Sequence, residues 1–294
     1  MYTKILHFLI INSLILILIS CSNEPSIIKP TKTGNNAPNI IAHRGIGSNM
    51  QIIDKDTIFE NTLNAVKYGF TYFDGVEVDI QMSKSGTIWL FHNDDLHCFD
   101  NLTPKCIPNS TDSEIIKLNK RLPDWQKLCT LEDVMRYQSK ETTKKYISLD
   151  VKGYFKNTCI KDRNISSKYM QDIANKIIKL AKKYNTEDYT LVETDYKEVL
   201  STIKQNSSTS IECYLLGYNN FIKKMNTALK NNYDGLSFNM NDTSLNIKNI
   251  KELHNNNLKI QIWTVNINDK KQMALDLGVD FIQSDVIFEN KVKP

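Results

Sequence analysis

No basic stripe interleaved with aromatics runs through this chain. Its 37 Lys and Arg offset 33 Asp and Glu to leave a net charge of +4 over 294 residues. The lysines are scattered, which argues against a nucleic-acid partner. Pairs such as Lys182-Lys183 and Lys223-Lys224 read as solvated helix faces. No CxxC motif and no paired histidines occur among six cysteines and five histidines, so a zinc site of the usual spacing is not expected. No apolar run reaches the length of a comfortable membrane span: the stretch from Ile5 to Ile19 falls short of the roughly 20 residues such a helix needs. Nothing in the sequence points to a protein partner. What is present is 41% hydrophobic residues, enough for the sizeable core of a folded α/β domain.

The N-terminal apolar stretch suits the hydrophobic region of a secretory signal, with Lys4 ahead of it. It ends in LISC, Leu18 to Cys21, which resembles a bacterial lipobox. That resemblance implies a signal peptide over residues 1–20, lipid modification of Cys21, and attachment to a membrane in the cell envelope. Ser22, rather than Asp, then favours the outer membrane where the cell has one. Residues 22–38 are polar, contain Pro and Gly, and have no periodic apolar face. They read as a tether, with the folded domain at 39–294. Without Cys21, five cysteines remain, and an odd number cannot all pair. Export permits disulfides, and Cys98 with Cys106 or Cys129 is the expected neighbourhood.

From Asn39 onward, short apolar runs alternate with amphipathic helical stretches. The runs are NIIAH (39–43), GVEVD (75–79), YISLDVK (146–152), YTLVETD (189–195), IECYLL (211–216), DGLSFN (234–239), KIQIWTVN (259–266) and DFIQSD (280–285). Eight strands in βα alternation predict a (β/α)8 barrel. The second strand continues into a hairpin through SKSG, and residues 93–145 form a cap-like insertion before the third strand. A helix is expected from Thr130, where Thr130 and Asp133 match a capping box, and Gly278 is expected to cap a later helix.

The hairpin VEVDIQMSKSGTIWLFH (76–92) puts Glu77 and Asp79 on one strand face, because side chains alternate. With Lys84 and Ser85 at the tip, Glu77 would oppose His92; a bulge at Gly86 would shift that register by one. Active sites of such barrels lie at the C-terminal ends of the strands. Those ends carry His43 and Arg44, Glu77 and Asp79, then Asp150 and Lys152, with His92 returned by the hairpin. Carboxylates in contact repel by about 4 kcal/mol per pair at an effective dielectric of 20. Arg44 and Lys152 could neutralise them, and an oxygen-only ligand set also suits a hard divalent cation, Mg2+ or Ca2+.

Six motifs in this order, IAHRG (41–45), FENT (59–62), GVEVDIQMSKSGTIWLFHND (75–94), LDVK (149–152), IWTVN (262–266) and GVDFIQSD (278–285), resemble those of the glycerophosphodiester phosphodiesterase family. The resemblance implies hydrolysis of glycerophosphodiesters to glycerol 3-phosphate and an alcohol with one divalent cation, Ca2+ or Mg2+. By position, Glu77, Asp79 and Asp150 match metal ligands, and His43 and His92 match the general acid and base. Arg44 and Lys152 match phosphate-stabilising cations, and Trp263 matches a pocket aromatic. Asp150 stands where the family usually has Glu. Glu60 has two readings, a site role or a helix-start capping box in TIFE (57–60). The alternatives are a phospholipase of the same superfamily acting on lysophospholipid or sphingomyelin, and a lipoprotein that binds a phosphorylated ligand without turnover.

Overall fold

A computed structural model describes residues 37–288 apart from 48–49, 54–55, 97–98, 100–105 and 154–162. The expectations placed on residues 1–36, including the signal and Cys21, lie outside the described residues, as do Cys98 and Cys159. Of the remaining cysteines, Cys106 is disulfide-bonded. Cys129 and Cys213 are free and buried, so Cys129 is not part of a disulfide.

The chain opens with β1 (Asn39–Ala42), an antiparallel ribbon of β2 (Met50–Ile53) and β3 (Asp56–Phe59), α1 (Leu63–Tyr72), then β4 (Gly75–Met82) and β5 (Ile88–Leu90). An insertion with α2 (Asp112–Asn119) precedes α3 (Leu131–Lys140), β6 (Tyr146–Val151) and α4 (Arg163–Tyr184). Regular alternation follows: β7 (Thr190–Thr194), α5 (Lys197–Gln205), β8 (Glu212–Gly217), α6 (Phe221–Lys230), β9 (Gly235–Asn239), α7 (Ile247–Asn255), β10 (Lys259–Trp263), α8 (Asn268–Leu277) and β11 (Phe281–Ser284).

Strands β1, β11, β10, β9, β8, β7, β6 and β4 pair in that order, all in parallel, and β1 pairs with β4 to close the cylinder. All eight expected strands are therefore present as a (β/α)8 barrel. The local reasons are visible in the sequence. α3 begins at Thr130, whose side chain accepts from the Asp133 N–H while Asp133 reaches back, a full capping box. Its Leu131, Val134 and Met135 are fully buried, each contributing about 1.5–3 kcal/mol. Gly278 ends α8 with a left-handed φ of 74°.

Two features differ from expectation. The residues from Gly45 to Phe59 contain the β2–β3 ribbon, which is not among the eight apolar runs; MQII-DK-DTIF has no Asn-Gly-type turn to announce a hairpin. The β4–β5 hairpin pairs Ile80 with Leu90 and Met82 with Ile88. This is the register shifted by one, so Glu77 does not oppose His92 across the ladder. The cause is a three-residue tip in which Gly86, at φ 82°, takes the left-handed position and the Ser83 N–H bonds the Thr87 carbonyl at 2.8 Å.

The insertion returns to the barrel where the Leu90 N–H bonds the Cys129 carbonyl at 2.9 Å. Trp89, Phe91, Ile107, Ile115 and Leu118 form its own apolar cluster on the hairpin. Asp112 fastens it, accepting bonds from Ser83 Oγ, Thr87 Oγ1 and Trp89 Nε1. Phe99 and Trp125 each meet Phe59 of the ribbon at 6.2 Å between ring centres. Hairpin, insertion and ribbon thus make one wall at the strands' C-terminal end.

Inside the barrel the character changes along the axis. Ile41, Leu191, Tyr214 and Phe281 form an apolar plug. Next comes a polar layer centred on Glu193, which accepts from Ser148, Ser237 and Gln283. The acidic mouth follows.

Candidate active site

The mouth is built from strand ends that the sequence separates widely. Glu77 and Asp79 leave β4, and Asp150 leaves the paired position on β6, opposite Asp79 in register. The three offer carboxylate oxygens that all lie within 4.8 Å of one another. Glu77 and Asp79 are each 1% exposed, so water does little to screen them.

Each acid meets this crowding differently. Burial, then Asp79, Glu193 and Asp150, raise the Glu77 carboxyl well above its usual range. Its Oε2 accepts from the Arg44 backbone N–H at 2.8 Å, whereas Oε1 is buried with no hydrogen-bond partner. Burial would also raise Asp79, but Lys152, His92 and Arg44 outweigh it and hold Asp79 below the usual carboxylate range. Lys152 Nζ lies 2.8 Å from Asp79 Oδ1 and 2.5 Å from Asp150 Oδ2. Burial keeps Asp150 raised despite that ammonium.

Arg44 occupies the 3₁₀ turn His43–Gly45 with φ 50° and ψ 27°, a conformation uncommon outside glycine. The turn closes because Gly45, at φ 82°, sits against α1; a Cβ there would come within 2.9 Å of the Ala65 backbone. In this conformation Arg44 gives its N–H to Glu77 and Nη1 to both oxygens of Glu60, at 3.0 and 3.1 Å. Its Nε lies 3.5 Å from Asp79. Glu60 is therefore part of the site's ion network. The capping-box reading of TIFE is corrected: α1 starts at Leu63, and Thr62 caps it by accepting from the Ala65 N–H.

The two histidines stand at the edges. His43 Nδ1 lies 2.7 Å from Asp285 Oδ1, and Nε2 is 3.8 Å from Glu77. Asp285 is itself held by Asn266, which donates Nδ2 to Oδ2 at 2.6 Å and accepts the Asp285 N–H at 2.8 Å. A carboxylate on Nδ1 fixes the tautomer and leaves Nε2 facing the acids. His92 pairs Nδ1 with Asn93 Oδ1 at 3.0 Å. The turn carrying it is pinned by buried Gln81, which donates to the Phe91 and Asn93 carbonyls.

Trp263 ends β10, with its Nε1 buried and without a partner. Its ring meets Tyr218 edge-on at 5.5 Å. Asp150 raises the Tyr218 hydroxyl, after burial, and Lys152 counters it; the aromatic pair thus lies in the field of the acidic mouth.

His43, Arg44, Glu77, Asp79, His92, Asp150 and Lys152 are brought together by direct contacts or by their electrostatic influence on Asp79. Three further residues were not assigned from sequence. Asp285 orients His43 from 242 residues away, and Asn266 acts on His43 only through Asp285. Asn61, at φ 56°, clamps Asp79: its Nδ2 donates to Oδ2 at 2.7 Å and its Oδ1 accepts the Asp79 N–H at 2.9 Å. The FENT motif marked its place but not its partner.

The donor set fits a hard divalent cation. Three carboxylates converge, none of the ligand atoms is soft, and one buried oxygen, Glu77 Oε1, has no hydrogen bond. The paired Lys152 offsets only part of the charge.

The family model described as the glycerophosphoryl diester phosphodiesterase family matches residues 43–288. Among solved structures, a glycerophosphodiester phosphodiesterase from Thermotoga maritima is similar over 86% of this chain and 96% of its own, with TM-score 0.63 and 18% identity. One from Parabacteroides distasonis is similar over 86% and 95%, with TM-score 0.63 and 17% identity. A phosphodiesterase from Oleispira antarctica, solved with the product sn-glycerol-3-phosphate, is similar over 85% and 94%, with TM-score 0.63 and 16% identity. At these identities the likeness establishes the shared fold. Comparison with curated proteins gives no match.

Proposed function

The chain belongs to the glycerophosphoryl diester phosphodiesterase family, whose activity it shares, and from that premise we propose that the mouth of the barrel hydrolyses glycerophosphodiesters by metal-assisted acid/base catalysis. The observation that carries this reading is the meeting of Glu77, Asp79 and Asp150 beside the His43–Asp285 pair. The products would be glycerol 3-phosphate and an alcohol.

Glu77, Asp79 and Asp150 would hold one Ca2+ or Mg2+, which when bound supplies Lewis-acid stabilisation of charge on the phosphoryl oxygens. The remaining work falls to side chains. Arg44 and Lys152 face the same charge and stabilise its growth in the transition state. Their carboxylate partners, Glu60 for Arg44 and Asp150 for Lys152, hold both cations in place before substrate arrives. One imidazole takes the proton from the attacking hydroxyl or water, and the other gives one to the departing alkoxide. Each contributes roughly 10²- to 10⁴-fold. Asp285 holds a proton on His43 Nδ1, so Nε2 is the atom that exchanges one with the reacting groups. Trp263 lines the pocket beside them.

The test is product identification. Purified full chain incubated with glycerophosphocholine and a divalent cation is expected to release equal amounts of glycerol 3-phosphate and choline. Release of phosphocholine and glycerol would mean cleavage of the other ester bond. No release with either cation would leave a phosphoryl-ligand-binding protein.

A further inference from the structure

Large apolar side chains left in water are, among the described residues, concentrated at one end of the barrel. Among the described residues, Tyr218, Ile222, Ile247, Ile267, Val286 and Ile287 are 38–55% exposed. All six lie where a strand ends or the next helix begins, from β8 to the segment after β11, which in this barrel is the end carrying the mouth. The only other exposed large apolar side chains there described are Ile116 on α2 and Met273 within α8. Scattered exposed apolar residues need no explanation, but six gathered at the end of the barrel that carries the site call for one.

The group adjoins the site through the chain itself. Val286 follows Asp285, which orients His43, and Ile267 follows Asn266, which holds Asp285. Tyr218 touches Trp263. Hence the apolar edge borders the mouth along the side formed by β8 to β11.

Lysines outnumber acids around it: from β8 onward the strand ends and helix starts carry Lys223, Lys224, Lys248, Lys270 and Lys271 against Asp242, Asp269 and Asp285. In α6, Ile222 is followed by Lys223 and Lys224 in the first turn, and α7 begins Ile247-Lys248; neither first turn contains an acid. Lys223 and Lys248 are exposed. A cation at a helix N-terminus opposes the macrodipole, so these lysines cost the fold some stability. α5 begins with Lys197 and α8 carries Lys270 and Lys271, here alongside Glu198 and Asp269. Exposed aliphatic and aromatic side chains with lysines in excess of acids beside them form the pattern that inserts into an acyl boundary beneath anionic head groups.

We propose that this edge of the barrel, from Tyr218 to Ile287, docks on an anionic phospholipid surface and turns the mouth toward it. Docking of this kind is separate from any lipid modification at Cys21 and independent of the catalytic reading, because it can be observed without turnover. It would favour diesters at or near a bilayer over those diluted in bulk water.

The test uses amide hydrogen exchange on the full chain, with vesicles of mixed phosphatidylcholine and phosphatidylglycerol and with vesicles of phosphatidylcholine alone. The expected result is slowed exchange in 218–224, 264–271 and 285–288 on the mixed vesicles. The turns at the other end of the barrel, 206–210 and 256–258, should not change. Vesicle-bound protein with an unprotected edge overturns the proposal, since the N-terminal segment alone would then hold it. Equal protection on neutral vesicles overturns the role given to the lysines. The combined variant Ile222→Ser, Ile267→Ser, Ile287→Ser is expected to lower protection of the edge by about tenfold with unchanged turnover of soluble glycerophosphocholine. A variant still protected like the wild type also refutes docking through these residues.

Discussion

The first four barrel strands, β1, β4, β6 and β7, and the last four, β8 to β11, open on the same mouth but are built for different work. The first set ends in His43, Arg44, Glu77, Asp79, Asp150 and Lys152, cross-linked by ion pairs of 2.5–3.8 Å. The last set ends in Tyr218, Trp263, Asn266 and Asp285, mostly aromatic or amide groups, and then exposes aliphatic residues. Buried charge has to be satisfied by near neighbours, so the chemistry is concentrated on adjoining strands and on the hairpin between them. Aim and contact demand less, and the last four strands supply them: Asp285 aims His43, Asn266 aims Asp285, and the helix starts carry the apolar edge.

Removing a reacting group from the first set should have the largest effect. His43→Ala is expected to lose at least about a hundredfold in kcat while keeping the wild-type circular dichroism spectrum. Rates near wild type would take His43 out of the mechanism and break the division between the two halves. Asp285→Asn, from the second set, should cost less, about 10- to 100-fold in kcat with KM nearly unchanged. A loss equal to that of His43→Ala would make Asp285 part of the chemistry rather than its support. Trp263→Ala is expected to act mainly on binding, raising the KM for glycerophosphocholine several-fold while kcat falls less.

The smallest effect on turnover is expected inside the barrel, at Glu193. Burial and Asp150 push its carboxyl up to about 7 from an ordinary 4.5. The folded protein therefore keeps a proton that the unfolded chain loses between these values. That contribution to stability is complete below about pH 4.5 and is lost as pH rises through about 7. Glu193→Gln should flatten this part of the stability profile, by an amount on the order of 1 kcal/mol, as read by denaturant melts in chelator at pH 5 and pH 8. An unchanged slope would mean that Glu193 is ionised throughout.

The strands were legible because each carries a compact apolar run between turn residues, and the barrel follows from their alternation with helices. Glu77, Asp79, Asp150 and Lys152 were legible as a group because alternation along two strands puts them on one face. The hairpin register was not, because one residue in the left-handed conformation, Gly86, moves every pair by one. Nor was the β2–β3 ribbon, whose turn lacks a strong signature. Glu60, Asn61, Asn266 and Asp285 could be located in motifs, but their partners depend on how distant loops meet. Arg44, for example, reaches Glu60 and Glu77 only because its backbone adopts φ 50°.

The most direct test of the central claim, that three carboxylates of the first half converge to hold a divalent cation for hydrolysis, is a calorimetric titration. Ca2+ and Mg2+ would be titrated into chelator-treated full chain and into Glu77→Gln, with turnover of glycerophosphocholine followed on the same samples. One saturable site per chain, lost or greatly weakened in Glu77→Gln, with turnover that vanishes in chelator and returns with the cation, is the predicted result. Full turnover in chelator, with no saturable binding of either cation, would contradict it.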